Sequence, residues 1–298
     1  MKKISIIFIA TMLMGLLIGC TPTTAESKPA PKSKTTQAKE ALKQLEKKYG
    51  SELGVYAVNP KNSQTLQYNA QERFAFVSTY KAIASGVLLK NLTEQQLEKR
   101  VFFKKEDLVD YSPVTEKHVE SGMTIKEIIH AAVAYSDNTA GNLLFNALNG
   151  PKGFQDELRK IKDETTNSDR YETELNTAIP GDPRDTSTPE AFAKNLAFLT
   201  KQGNLQPKQL DYFKQTLIEN TTGDKLIRAG VPKGYIVGDK TGAGSYGTRN
   251  DIAVIYSDDQ DKEPLVWVIF SKKDKENAEY DDQLIADAAK VLSRYFDL

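Results

Sequence analysis

Hydrophobic positions divide the chain after residue 37 into strand-like ends and a helical middle. Residues 38–49 place apolar side chains at helical spacing, and the apolar runs 53–58 and 65–68 flank a polar turn, as the strands of a hairpin do. Near the other end, three short runs of β-branched and aromatic residues around 235–270 are followed by an amphipathic segment, 278–296. The ends therefore predict a helix, five strands and a closing helix.

The middle of the chain is patterned as helices. Residues 82–89 are apolar nearly all round, which predicts a buried helix. Capping boxes or a Thr-Pro pair predict helix starts at Thr93, Thr124 and Thr188. The stretch 162–188 is polar and lacks periodicity, which predicts a long loop, and a loop of that length in a compact domain is often functional.

Strands at both ends and helices between them favour an α/β plus all-α fold. We expect a discontinuous α/β domain, an antiparallel sheet with the N- and C-terminal helices, from residues 38–72 and 218–298. An inserted all-helical domain would then comprise residues 73–217.

The N-terminus has the pattern of a targeting segment. Two lysines precede an apolar run of roughly 15 residues, which is short for a membrane span and typical of a signal peptide. The run ends Leu17-Ile18-Gly19-Cys20, which resembles a bacterial lipoprotein signal and implies lipidation of Cys20. We therefore predict a signal peptide at 1–19, a flexible tether at 20–37 and an anchor on the outer face of the cell membrane, with some release as a soluble form. The alternative is an ordinary secretory signal in which Cys20 is incidental.

Composition excludes several classes of protein. The 298 residues carry 40 basic and 40 acidic side chains, so no basic surface indicates nucleic acid as a partner. One cysteine and two histidines leave no intramolecular disulfide and argue against a Cys/His metal site. A Ser-His-Asp triad is arithmetically available, but neither His118 nor His130 lies in a motif. We expect no metal, no organic cofactor and a monomer.

Ser78 and Lys81 are the first candidate catalytic pair. Residues three apart share one face of a helix, so the amine can reach the hydroxyl. A serine nucleophile needs an adjacent base, and burial lowers a lysine pKa enough for a neutral amine to serve. The competing interpretation is a surface lysine with a snorkelling stem, which the apolar surroundings of Lys81 disfavour.

Two further motifs add polar groups. Ser136 and Asn138 on one short loop can relay a proton and hold a carbonyl or amide, although Ser-Asp-Asn taken alone is more often a helix cap or turn. Lys240-Thr241-Gly242 lies in a predicted strand, where the glycine permits close approach of another chain or a ligand. This motif indicates a carboxylate site at one side of a cleft, unless it is only an edge lysine and a turn.

Two more positions complete this predicted cleft. The backbone N–H groups of Ser78 and Ala243 can form an oxyanion hole for a tetrahedral intermediate. Arg249 supplies a second positive group for a substrate carboxylate.

The ordered motifs that begin at Ser78, Ser136 and Lys240 resemble those of the class A serine β-lactamases, from about residue 38 to the C-terminus. The resemblance implies a β-lactamase/transpeptidase-like fold and small-molecule β-lactams as partners. It also implies hydrolysis of penicillins and some cephalosporins, and hence antibiotic resistance, with no cofactor.

The resemblance also assigns roles to residues that patterning alone does not select. Glu172 and Asn176 would hold the water that hydrolyses the acyl-enzyme, and Arg170 would pair with Asp185 to close their loop. Tyr111 would flank the substrate.

In the implied reaction, Ser78 attacks the lactam carbonyl and either Lys81 or Glu172, through water, takes its proton. Ser136 would deliver a proton to the leaving nitrogen. Thr173 stands where many relatives have proline, and the resemblance implies a cis peptide bond before it.

The same motifs are compatible with two rival functions. A penicillin-binding protein, a cell-wall transpeptidase or carboxypeptidase, would share the serine and lysine motifs, but the stretch 172–176 argues against it. A non-catalytic lipoprotein that binds cell-wall fragments would not need Ser78, Lys81 and Glu172 together.

Overall fold

The computed structural model describes residues 32–258 and 263–298. The predicted signal peptide, Cys20 and most of the predicted tether lie outside these residues. Nineteen helices and strands are present here, in chain order: α1 Lys34–Tyr49, β1 Glu52–Asn59, β2 Gln64–Tyr68, β3 Phe74–Ala75, α2 Tyr80–Asn91, α3 Glu94–Leu97, β4 Arg100–Val101, β5 Met123–Thr124, α4 Ile125–Ala134, α5 Asn138–Ala147, α6 Gly150–Lys160, β6 Thr186–Ser187, α7 Pro189–Thr200, α8 Pro207–Ile218, α9 Ile227–Gly230, β7 Ile236–Gly244, β8 Thr248–Tyr256, β9 Leu265–Lys272 and α10 Asp282–Phe296.

Five strands form one antiparallel sheet in the order β2-β1-β9-β8-β7. Its central strand β9 is buried on both faces, and successive side chains belong to two different cores. Trp267 and Ile269 pack with α1 and α10, whereas Val268 and Phe270 face the helical part of the molecule. The sheet therefore joins the two ends of the chain to the helices inserted between them, which confirms the predicted fold class. The predicted boundaries at 72/73 and 217/218 stay predictions.

Helix α2 lies at the centre of the helical part. Its residues 80–89 are all buried, and α4, α5, α7 and α8 pack around it. The apolar run predicted such a helix, because a helix that is apolar on every face is stable only when it is buried inside the protein.

Local signals placed several helix starts correctly. Both predicted capping boxes are formed, at Thr93 and Thr124, and α7 begins at Pro189 with Thr188 as its N-cap. These signals work because the hydrogen bonds of a cap are made within one turn of the helix.

Three predicted boundaries are wrong. Helix α1 begins at Lys34 because the Ser33 side chain caps it, so the last residues of the predicted tether, 34–37, are helical. The apolar residues of the segment 142–148 also predict a helix, but this helix, α5, begins earlier, at Asn138, because Asp137 accepts a hydrogen bond from Ala140 N. Helix α10 begins at Asp282 rather than at 278, with Asp281 as its N-cap.

The predicted loop connects α6 to β6 and is irregular except for a short 3-10 helix, Glu174–Thr177. Arg170 Nε lies 2.6 Å from Asp185 Oδ2, and Asp185 Oδ1 also accepts hydrogen bonds from the backbone N–H groups of Asp169 and Arg170. One fully buried carboxylate thus ties the two ends of the loop together.

Among residues 32–258 and 263–298, no helix has both the length and the apolar character that are needed to span a bilayer.

Candidate active site

Ser78 lies in a 3-10 turn, Val77–Thr79, that leads directly into α2. Strand β7 passes so close to this turn that a Cβ on Gly242 would lie 2.4 Å from Val77 Cγ2 and 3.2 Å from Ser78 N. A glycine is therefore required at 242, as the sequence predicted for a close approach. This contact places the segment Lys240-Thr241-Gly242 beside the backbone N–H of Ser78. The next residue, Ala243, lines the cavity that is described below.

The Lys81 amine is completely buried and surrounded by oxygen atoms. Its Nζ lies 3.0 Å from Ser78 Oγ, 2.9 Å from Ser136 O, 2.7 Å from Asn138 Oδ1 and 3.0 Å from Glu172 Oε1. Burial lowers the pKa of Lys81, and the neighbouring Glu172 carboxylate acts in the opposite direction. The amine is therefore in contact with the predicted nucleophile and is more easily deprotonated than a lysine in water.

Glu172 approaches the same serine from the loop. Its Oε1 accepts a hydrogen bond of 3.4 Å from Ser78 Oγ, and its Oε2 accepts one of 2.6 Å from Asn176 Nδ2. The peptide bond between Glu172 and Thr173 is cis, as the resemblance implied.

Asn142, which no sequence motif indicated, fixes the backbone of Glu172. Asn142 Nδ2 donates to Glu172 O at 3.1 Å, and its Oδ1 accepts from Glu172 N at 2.8 Å. One signal was available: Asn142 stands four residues after Asn138, so both amides lie on one face of α5.

Ser136 and Lys240 are joined by a hydrogen bond at the site. Lys240 Nζ donates to Ser136 Oγ at 3.1 Å and to Thr241 O at 2.8 Å. Burial, with the positive charge of Lys81 as a smaller cause, lowers the pKa of Lys240 to about 7.

The Ser-Asp-Asn motif is both a helix cap and part of the site, the two interpretations that its sequence left open. Asp137 caps α5 and also accepts hydrogen bonds from the backbone of Val114 and Thr115. This capping holds the flanking Ser136 and Asn138 at the site, and Asn138 N donates to Tyr111 O.

A cavity of about 410 Å³ opens beside these groups, although the buried Lys81, Glu172 and Lys240 are not among the residues that line it. Its wall contains most of the predicted site residues and two that were not predicted, Thr222 and Tyr280. The lining residues are Ser78, Tyr111, Ser136, Asn138, Asn176, Thr222, Thr241, Gly242, Ala243, Arg249 and Tyr280.

Arg249 lines the cavity, and its guanidinium has two neighbours that the sequence did not indicate. Its Nε donates to Asp282 Oδ1 at 2.7 Å, and its guanidinium lies 4.7 Å from the centre of the Tyr280 ring. Neither partner belongs to a motif, and both lie more than 30 residues further along the chain.

A serine hydroxyl beside a buried amine and a buried carboxylate is the arrangement of a serine hydrolase. A model of the "Beta-lactamase enzyme family" matches residues 37–296. "Beta-lactamase 1" of Bacillus cereus is 52% identical over 261 residues, which is 88% of this chain and 84% of that protein. The "Beta-lactamase" of Bacillus licheniformis is 44% identical over 95% of this chain and 92% of that protein.

A solved structure agrees with these sequences. The crystal structure of a class A beta-lactamase from Clostridium kluyveri DSM 555 superposes with a TM-score of 0.86 at 44% identity, covering 88% of this chain and 100% of that one. The chain therefore belongs to the beta-lactamase enzyme family, as a class A enzyme.

Proposed function

We propose that the protein hydrolyses the amide bond of penicillins and some cephalosporins through an acyl-enzyme on Ser78, and so confers antibiotic resistance. One observation carries the assignment of the nucleophile. Ser78 Oγ lies within hydrogen-bonding distance of both Lys81 Nζ and Glu172 Oε1, at 3.0 Å and 3.4 Å. A base is therefore available for the attack of Ser78 and for the later attack of water.

Acylation begins with Ser78 Oγ adding to the lactam carbonyl. Its proton passes to Lys81 directly or to Glu172 through water, and both groups are placed for this transfer. The backbone N–H groups of Ser78 and Ala243 stabilise the oxyanion. Ser136 relays a proton to the leaving nitrogen: it gives up its own as the C–N bond breaks and receives in turn the one that the base took from Ser78. Its contact with Lys240 Nζ holds its hydroxyl in place.

Deacylation depends on Glu172. Asn176 and Asn142 hold this residue by its carboxylate and its backbone, respectively, so the general base keeps a fixed position next to the ester. Water activated by Glu172 attacks the acyl carbonyl and releases Ser78. This step distinguishes the proposed hydrolase from a penicillin-binding protein, which would remain acylated.

The substrate carboxylate is assigned to the side of the cavity lined by Thr241, next to the buried amine of Lys240. Lys240 supplies charge and Thr241 a hydroxyl, while Arg249 adds a second charge that its Asp282 partner partly neutralises. Tyr111, which is 60% exposed, flanks the opposite rim.

Mass spectrometry of the acyl-enzyme tests this proposal. The variants are Ser78→Ala and Glu172→Gln in the chain from residue 21 onwards, each mixed with benzylpenicillin. We expect the parent to turn over without accumulating adduct, Glu172→Gln to retain the mass of one penicillin, and Ser78→Ala to retain none. A parent that keeps one penicillin and stops would identify a penicillin-binding protein. A parent that gains no adduct and hydrolyses nothing would support the non-catalytic alternative.

We also propose that Cys20 is lipidated and anchors the enzyme to the outer face of the cell membrane, with some release as a soluble monomer. The support is the sequence Leu17-Ile18-Gly19-Cys20 after a short apolar run. Incorporation of radiolabelled palmitate into the full-length chain tests the anchor. Label that is absent from Cys20→Ser supports it, whereas equal label in both chains contradicts it. Light scattering of the soluble form tests the monomer.

A further inference from the structure

Two carboxyl groups are buried together behind the strand that carries Lys240. Asp239 lies on β7 and Asp251 on β8, and both are inaccessible to solvent. In the sheet Asp251 pairs with Thr241, two residues after Asp239, so both aspartates lie on the same face as diagonal neighbours. The Asp239 carboxyl is close enough to raise the pKa of Asp251.

Asp239 has more hydrogen-bond donors around it than Asp251 has. Asp239 Oδ1 accepts from Arg228 Nε at 2.6 Å, and its Oδ2 accepts from Asn220 Nδ2 at 2.8 Å. Asp251 Oδ2 accepts from Ile227 N at 3.0 Å, but its Oδ1 is buried without a protein donor in the described part of the chain. A negative charge on Asp251 Oδ1 would be costly in free energy, because this oxygen is buried without a donor. Two adjacent ionised carboxylates would cost still more, because their charges repel each other.

A proton on Asp251 resolves both problems. Its Oδ1–H would become a donor to the neighbouring carboxylate, and Asp239 would keep the charge that its contact with Arg228 favours. Burial raises the pKa of Asp251, the nearby Asp239 raises it further, and Arg249 opposes them.

The charge on this pair affects Lys240. The Lys240 amine is buried near Lys81, and both effects favour its neutral form, whereas the negative charges of Asp239 and, when it is ionised, of Asp251 favour the charged form. The other charged groups that influence the pair are Arg228, Lys240 and Arg249.

We propose that Asp251 holds a proton that it donates to Asp239, and that the single negative charge of this pair keeps Lys240 positive for the substrate carboxylate. Both aspartates are then positioning residues that act through Lys240. The two aspartates are equally buried but have different roles. Asp239 supplies the negative charge, and Asp251 supplies the proton that stabilises this buried charge. The inference rests on the proposed role of Lys240 in binding the carboxylate.

The pH dependence of kcat/KM for benzylpenicillin tests the division between the two aspartates. Asp251→Asn is neutral like the protonated residue and keeps a donor, so we expect the same alkaline limb as in the parent. Asp239→Asn removes the charge, so we expect the alkaline limb to move to lower pH, mainly through a higher KM. Equal shifts in both variants would show that Asp251 is ionised and would overturn the proposal.

A second measurement does not depend on activity. If Asp251 is protonated only in the folded protein, rising pH destabilises the parent relative to Asp251→Asn, because unfolding then releases a proton. The ratio of their unfolding constants in urea would change about tenfold per pH unit between pH 5 and 7. Parallel stability curves would overturn the proton assignment. A parent without hydrolytic activity would instead refute the proposed function, while the urea experiment would still decide the state of the pair.

Discussion

Asn142 holds Glu172 by both of its backbone polar groups, accepting from its N–H at 2.8 Å and donating to its C=O at 3.1 Å. The amide belongs to α5 and the glutamate to the irregular loop, so these two hydrogen bonds connect the loop to the helical core. The position of the proposed general base therefore depends on a residue outside every sequence motif.

Replacing Asn142 by Leu should slow deacylation more than acylation. Losing two partly buried hydrogen bonds costs about 1–3 kcal/mol, and a displaced Glu172 would lower kcat by roughly 10- to 100-fold. Stopped-flow measurements should show a burst followed by a slow steady state. Asn142→Asp is the comparison of similar size: it keeps the acceptor for Glu172 N but replaces the donor to Glu172 O by a charged oxygen, so it should also slow deacylation. A Leu variant with unchanged kcat would contradict this role.

Lys81→Met should reduce the acylation rate by about 10²- to 10⁴-fold, the usual contribution of a general base. Lys81→Arg separates charge from proton transfer, since a guanidinium stays protonated in proteins. If Lys81 acts as the base, both variants are slow in single-turnover experiments. An Arg variant that acylates at the parental rate would show that only the positive charge at this position matters.

The pKa of Lys240 predicts how kcat/KM declines at alkaline pH. Burial lowers its pKa to about 7, so the fraction of charged amine falls as the pH rises through that value. The kcat/KM of a substrate with a free carboxylate should decrease above pH 7, whereas kcat should change less because a bound carboxylate retains the proton. Lys240→Arg should extend activity to higher pH. A methyl ester of the same penicillin is the control, and an equally steep decline for the ester would contradict the assignment.

Arg170→Ala should destabilise the protein and slow deacylation together. The substitution leaves the buried Asp185 carboxylate without its cation. Removing one partner of a buried ion pair lowers the free energy of unfolding by about 3 kcal/mol. The exposed Arg184, paired with Asp182 on the same loop, gives a matched control. Arg184→Ala should change the free energy of unfolding by less than about 0.5 kcal/mol. Urea unfolding measures both variants, and equal effects would contradict the distinction.

Helix caps and strand patterns were predictable because they depend on neighbours in the sequence. The capping boxes at Thr93 and Thr124 are formed within one turn, and burial on both faces of β9 is visible as a continuous apolar run. By contrast, Asn142 meets Glu172 across 30 residues and Arg249 meets Asp282 across 33. Such contacts leave no periodic signal, since they arise only when separate elements pack together.

The sequence by itself determined the chemical groups of the site and their order along the chain: the hydroxyl of Ser78, the amine of Lys81 and the motif at Lys240. It also identified Glu172, but only through resemblance to a family. The tertiary structure decided their charges and partners. Burial by α2 and the sheet lowers the pKa values of both lysines, because an ammonium ion loses its hydration there. A list of residues contains no such information, because desolvation depends on everything that surrounds a group.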